Sequence, residues 1–93
     1  MIPTLALAFL GGLLAGNAIP HFVRGITRQR YPNAWGGGPV PNVVAGWAGL
    51  VLAAVTLHAA FHGRDPLWPF CAAALGVLLI GLFHAGPGAF GRR

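Results

Sequence analysis

The sequence predicts an all-α integral membrane protein of three transmembrane helices. Two observations about composition predict it, and a third about charge placement agrees. Of the 93 residues, 56% are hydrophobic and 8% charged, and the mean hydropathy is +0.69. A soluble domain of this size needs more polar surface than that, so lipid is the solvent that fits. A bilayer core about 30 Å thick takes roughly 20 apolar residues per helix, and three such runs use nearly the whole chain. All six basic residues are arginines, and they sit at the ends of those runs. A single domain, 1–93, is expected.

The first span is expected over about 2–23. It is apolar all round as far as Asn17, as a lipid-embedded helix should be. Pro20 lies inside it and frees the carbonyl of Gly16, so a bend is expected there, but neighbouring groups can satisfy that carbonyl and the helix need not stop. The start, MIPTLALAFLGG, lacks the positive n-region of a secretory signal, so the run is expected to be retained.

The second span is expected over about 43–61. Pro39 and Pro41 precede it as start signals, Asn42 is the candidate N-cap, and Gly63 follows as a stop. The third is expected over about 66–84, with Asp65 as N-cap and Pro66 at the first helical position, ending before Gly86–Gly88. The short HGRD turn between spans two and three implies a tight antiparallel hairpin.

With three crossings, the loop at about 24–42 and the C-terminus share one side. That side holds Arg24, Arg28, Arg30, Arg92 and Arg93, and the other holds Arg64 alone. The positive-inside rule then places the loop and C-terminus in the cytoplasm and the N-terminus outside, in a cell (inner) membrane. Trp35 and Trp47 near one interface and Trp68 near the other fit aromatic belts.

The cytoplasmic loop begins with more order than topology needs. If the helix continues past Pro20, Asn17, His21, Arg24 and Arg28 fall on one narrow face, at spacings of four, three and four. Ile19, Phe22, Val23 and Ile26 fall on the other. That pattern describes an amphipathic helix passing into the headgroup layer, with Arg24 and Arg28 reaching phosphates. A snorkelling helix end with ordinary topogenic arginines would look the same. Beyond it, YPNAWGGGPVP reads as a flexible hinge with stiff ends.

GNAIPHFVRGIT and the later NVVAGW resemble a group of small bacterial multi-pass membrane proteins. These carry Gly-Asn, then Pro-His-Phe-Val, a basic residue and Gly at the end of the first span, with Asn-Val-x-x-Gly near the next. The resemblance covers residues 16–27 and 42–47. It implies a polar motif at a membrane interface and a Gly after the Thr; Arg28 departs from that pattern, and so does YPNAWGG.

Other chemistry has little support in the residues. His58 and His62 share a helical face, but a zinc site needs about four ligands and no third is evident. His21 and His84 end spans one and three on the same side, at a depth too shallow for a haem slot. Asp65 is the only acidic side chain, serine is absent, and Cys71 lies in an apolar run, so neither paired-acid nor nucleophilic catalysis is expected. No metal, cofactor or nucleic-acid partner is expected. Small residues repeat every four positions at Ala8, Gly12 and Gly16, at Ala45, Gly49 and Ala53, and at Ala72 and Gly76. Such faces allow close helix approach, within the chain or between chains.

The expectation is therefore a non-catalytic accessory or scaffolding subunit. Its partners would be the lipid bilayer, anionic phospholipid headgroups, and other membrane subunits or further copies. The binding face would be Asn17, His21, Arg24 and Arg28. The alternative is a small oligomeric transporter or pore.

Overall fold

A computed structural model describes residues 2–61 and 65–86. His62, Gly63 and Arg64 of the expected turn lie outside those residues, as do Pro87, Gly88, Arg92 and Arg93. The described chain is all-α, with α1 at Ile2–Ile26, α2 at Pro39–Ala60 and α3 at Leu67–Ala85. Each helix is long and apolar enough to cross a membrane.

The start signals are shifted by a few residues from those expected. Gly38 caps α2, and Pro39 and Pro41 both fit inside the first turn, where backbone N–H groups have no helical partner anyway. Asn42 is therefore not the N-cap. It lies a full turn inside α2, donating its backbone N–H to the Gly38 carbonyl at 3.3 Å. At α3 the start is displaced by one residue. Asp65 Oδ1 accepts the Leu67 N–H at 3.0 Å, Pro66 has right-handed helical dihedrals, and Phe70 N–H donates to the Pro66 carbonyl at 2.9 Å. Pro66, whose carbonyl is the first acceptor, is therefore the N-cap and Leu67 the first helical residue, one position later than expected, while Asp65 supports the start from the preceding position.

The end of α1 corrects the extended stripe. The helix runs through Pro20 but stops at Ile26. Arg28 N–H donates to the Gly25 carbonyl at 3.0 Å and Gln29 N–H to the Arg24 carbonyl at 2.8 Å, with Arg28 at φ 62°. That pair of bonds around a left-handed residue is a Schellman motif, with Arg28 at the position glycine usually takes. Arg28 is consequently turned off the helical face that carries Asn17, His21 and Arg24.

Helix packing runs through α1. Gly46 of α2 lies so close to Phe22 that an added Cβ would sit 2.5 Å from the Phe22 backbone nitrogen, and Gly49 meets Ala18 and Gly11 meets Leu57. On its other side, Gly12 abuts the Ala73 carbonyl, Gly16 meets Val77 and Ile80, and Gly76 meets Phe9 and Leu13. These pairs run α1 antiparallel to α2 and parallel to α3. The close partner of both α2 and α3 is α1, and the tight hairpin expected of spans two and three is not confirmed among the described residues. The small-residue faces of α1 are used within the chain. Buried alanines fill the remaining close approaches, with Ala8, Ala18, Ala53 and Ala60 at 2% exposure or less. Large apolar side chains such as Leu52, Val55, Leu78 and Leu82 face outward, as lipid contact requires.

Candidate functional site

The C-terminal ends of α1 and α3 and the N-terminal end of α2 meet at one end of the molecule, and the loop folds over them. Asn42 is the hub. It is the only fully buried polar residue among those described. Its Nδ2 donates to the carbonyls of Tyr31 and Gly38, each at 2.9 Å, and is shared with Gly37 at 3.3 Å. Three acceptors fix the amide orientation, so Oδ1 accepts, and the group it meets at 2.7 Å is His21 Nδ1–H. Two further bonds hold the loop: Tyr31 N–H donates to the Gly37 carbonyl at 3.0 Å, and Asn33 Nδ2 to the Pro41 carbonyl at 3.2 Å. Gly36, at φ 117°, makes the tight return that only glycine takes readily. The glycine-rich segment is therefore a pinned loop and not the free hinge its composition suggests.

The pinned loop carries Tyr31 across the bundle end to α3. The Tyr31 hydroxyl lies 3.0 Å from His84 Nδ1, and His84 Nε2 lies 2.9 Å from Asn17 Oδ1. Asn17 Oδ1 can only accept, so His84 carries its proton on Nε2 and receives the Tyr31 hydroxyl on Nδ1. The Tyr31 ring also stands edge-on to His21 at 5.1 Å, and the two imidazoles are 6.4 Å apart. Arg24 packs its guanidinium 5.5 Å from the Tyr31 ring centre and donates to Gln29 Oε1 at 2.7 Å. The cation is thus held by stacking and by one neutral acceptor, and among the described residues no carboxylate stands beside it.

Asn17, His21 and Arg24 come together as the sequence suggests, and Arg28 does not join them. Tyr31, Asn42 and His84 belong to the same cluster and were not part of the sequence-based face. The ending of spans one and three on one side was the available signal for His84. For Asn42 the signal was ambiguous, since Asn before an apolar run reads as a cap. Nothing in the sequence points to Tyr31. Of the two histidines that share a helical face, His58 is exposed on α2, and His62 is outside the described residues. No group of three or more His, Cys, Asp or Glu side chains gathers as a metal site among the described residues. Beside the cluster an open depression of about 290 Å³ is lined by Arg30, Tyr31, Pro32 and Gly37.

Fold and site together define a small membrane protein of three apolar helices with a hydrogen-bonded, arginine-bearing cap at one end. No family model, curated protein or solved structure matches the chain.

Proposed function

We propose that this protein is a non-catalytic accessory subunit of a larger assembly in a bacterial inner membrane, with its arginine-bearing end cytoplasmic. The observation that carries the reading is the ordered cap. Arg24 is stacked on Tyr31, whose ring is fixed by bonds to α3 and, through its carbonyl, to α2. A topological marker needs only positive charge, whereas an arginine held in place suits a defined acidic group on a partner or a lipid. Catalysis has little support in the residues, because the cluster consists of imidazole, phenol and amide groups, most of them bonded to one another. A pore fits less well. Between the two ends the helices carry apolar side chains, with the polar groups gathered at Asn17, His21 and His84 on one side and Thr4, Thr56 and His58 on the other. An oligomeric path through that middle zone would be hydrocarbon-lined.

Purification in mild detergent from the source organism, with co-purifying chains identified, tests the reading. Recovery of specific membrane partners, lost with Tyr31→Ala, is the expected result. Repeated recovery of the wild-type chain alone would overturn it.

A further inference from the structure

The α2-facing residues of α1 (Gly11, Ala18, Phe22, Gly25) and the α3-facing ones (Phe9, Gly12, Gly16) lie roughly half a turn apart at about 100° per residue. The three helices therefore form a layer with α1 in the middle, and α1 is left open along two lines between its neighbours. One line is apolar throughout, with Ile19, Val23 and Ile26 half-exposed. The other begins with Leu10, 45% exposed, and then turns polar, through exposed Asn17 and half-buried His21 to exposed Arg24. Tyr31 and His84 close that second groove at its polar end.

We propose that this second groove binds one anionic phospholipid per chain, with an acyl chain along α1 over Leu10 and the phosphate at Arg24. The inference rests on reading the basic cap as an acid-binding face and names one ligand for it. Charge complementarity selects the ligand. Arg24 stands at the groove's mouth, Arg28 and Arg30 follow it in the loop at the same end of the bundle, and the only acidic side chain, Asp65, is at the start of α3, at the opposite end. An anion supplied from the membrane itself would neutralise them. The groove is matched to a lipid along its length, since its floor is hydrocarbon where acyl chains lie and amide where ester carbonyls would lie. Asn17 supports this, because Oδ1 is committed to His84 and its exposed amide N–H₂ points no bond at any described residue. An acidic protein segment would meet the charges but would gain nothing from Leu10.

Native mass spectrometry of the detergent-purified protein, mixed with phosphatidylglycerol or phosphatidylcholine, tests this. The expected result is a single retained phosphatidylglycerol, with phosphatidylcholine lost on the same activation. Arg24→Gln should weaken retention about fivefold, the worth of one interfacial arginine. Leu10→Trp leaves every charge in place and blocks the groove, so it should abolish the adduct while circular dichroism stays helical. Equal retention of both lipids, or wild-type retention in Leu10→Trp, would overturn the inference. The accessory role is read separately, on the partner chains recovered with the same two variants. Loss of lipid with partners retained leaves the lipid site standing and removes Arg24 from partner contact. Loss of partners with lipid retained at wild-type level in both variants does the reverse.

Discussion

Arg28 occupies a backbone position whose usual occupant is glycine. A left-handed conformation brings Cβ against the following carbonyl, at a cost of roughly 1 kcal/mol for a residue with a side chain. Arg28→Gly should therefore raise stability by about that amount, read as a higher midpoint in thermal unfolding in detergent; Arg28→Val should lower it, since β-branching makes the conformation worse. Asn42 behaves oppositely. Its side chain alone serves three carbonyls and one imidazole in a fully buried site. Asn42→Ala strands those groups and should cost about 3 kcal/mol. Faster proteolysis within residues 29–38 would report the loosened loop, and an unchanged digestion pattern would show that Asn42 does not pin it.

At the scale of the helices, packing depends on which glycines face a neighbour. Gly12 and Gly46 have backbone against them, while nothing lies within 4 Å of a Cβ added at Gly81. Gly12→Val and Gly46→Val should push α3 and α2, respectively, away from α1 and destabilise the fold. Gly81→Ala should be neutral or slightly stabilising. Thermal unfolding of the three variants side by side separates packing from helix propensity, and equal losses in all three would contradict the packing described here. The spans themselves were legible because run length and apolarity are properties of single segments. Which span packs on which was not, since Gly12, Gly49 and Gly76 look alike in sequence and chance supplies many such spacings. A short connection suggested a packed pair of spans two and three, whereas the closest approaches belong to α1. The end of α1 was misplaced for a related reason: periodicity continued through Arg28 with no glycine to mark the turn. The cap was half legible, because Asn17, His21 and Arg24 share a helical phase, while Tyr31 and His84 join them only through the return of the loop.

For the whole molecule, charge placement and packing make separate demands on the same arginines. Replacing Arg24, Arg28 and Arg30 together should give mixed or inverted orientation, read by reporter fusions at residue 35 and at the N-terminus, because the rule that orients the chain counts positive residues near the span ends. Restoring Arg24 alone should recover the stacked cap in those molecules that insert correctly, without recovering uniform orientation. Uniform wild-type orientation in the triple variant would show that other features orient the chain.

The central place of α1 also bears on how the protein is made. Of the three helices, α1 is synthesised first, yet one of its two packing faces waits for the last. Its contact with α2 closes an antiparallel pair across a short loop, a local event with little chain to order. Its contact with α3 pairs residues some sixty positions apart, Gly12 with Ala73 and Asn17 with His84, and cannot form until the third helix has left the ribosome and entered the bilayer. During that interval the Gly12–Gly16 face of α1 is bare in the membrane. A chain stalled or truncated after α2 would display it permanently, together with an Asn17 Oδ1 deprived of its His84 partner. The Tyr31–His84–Asn17 chain is thus the last link to close, and its closure marks a completed molecule.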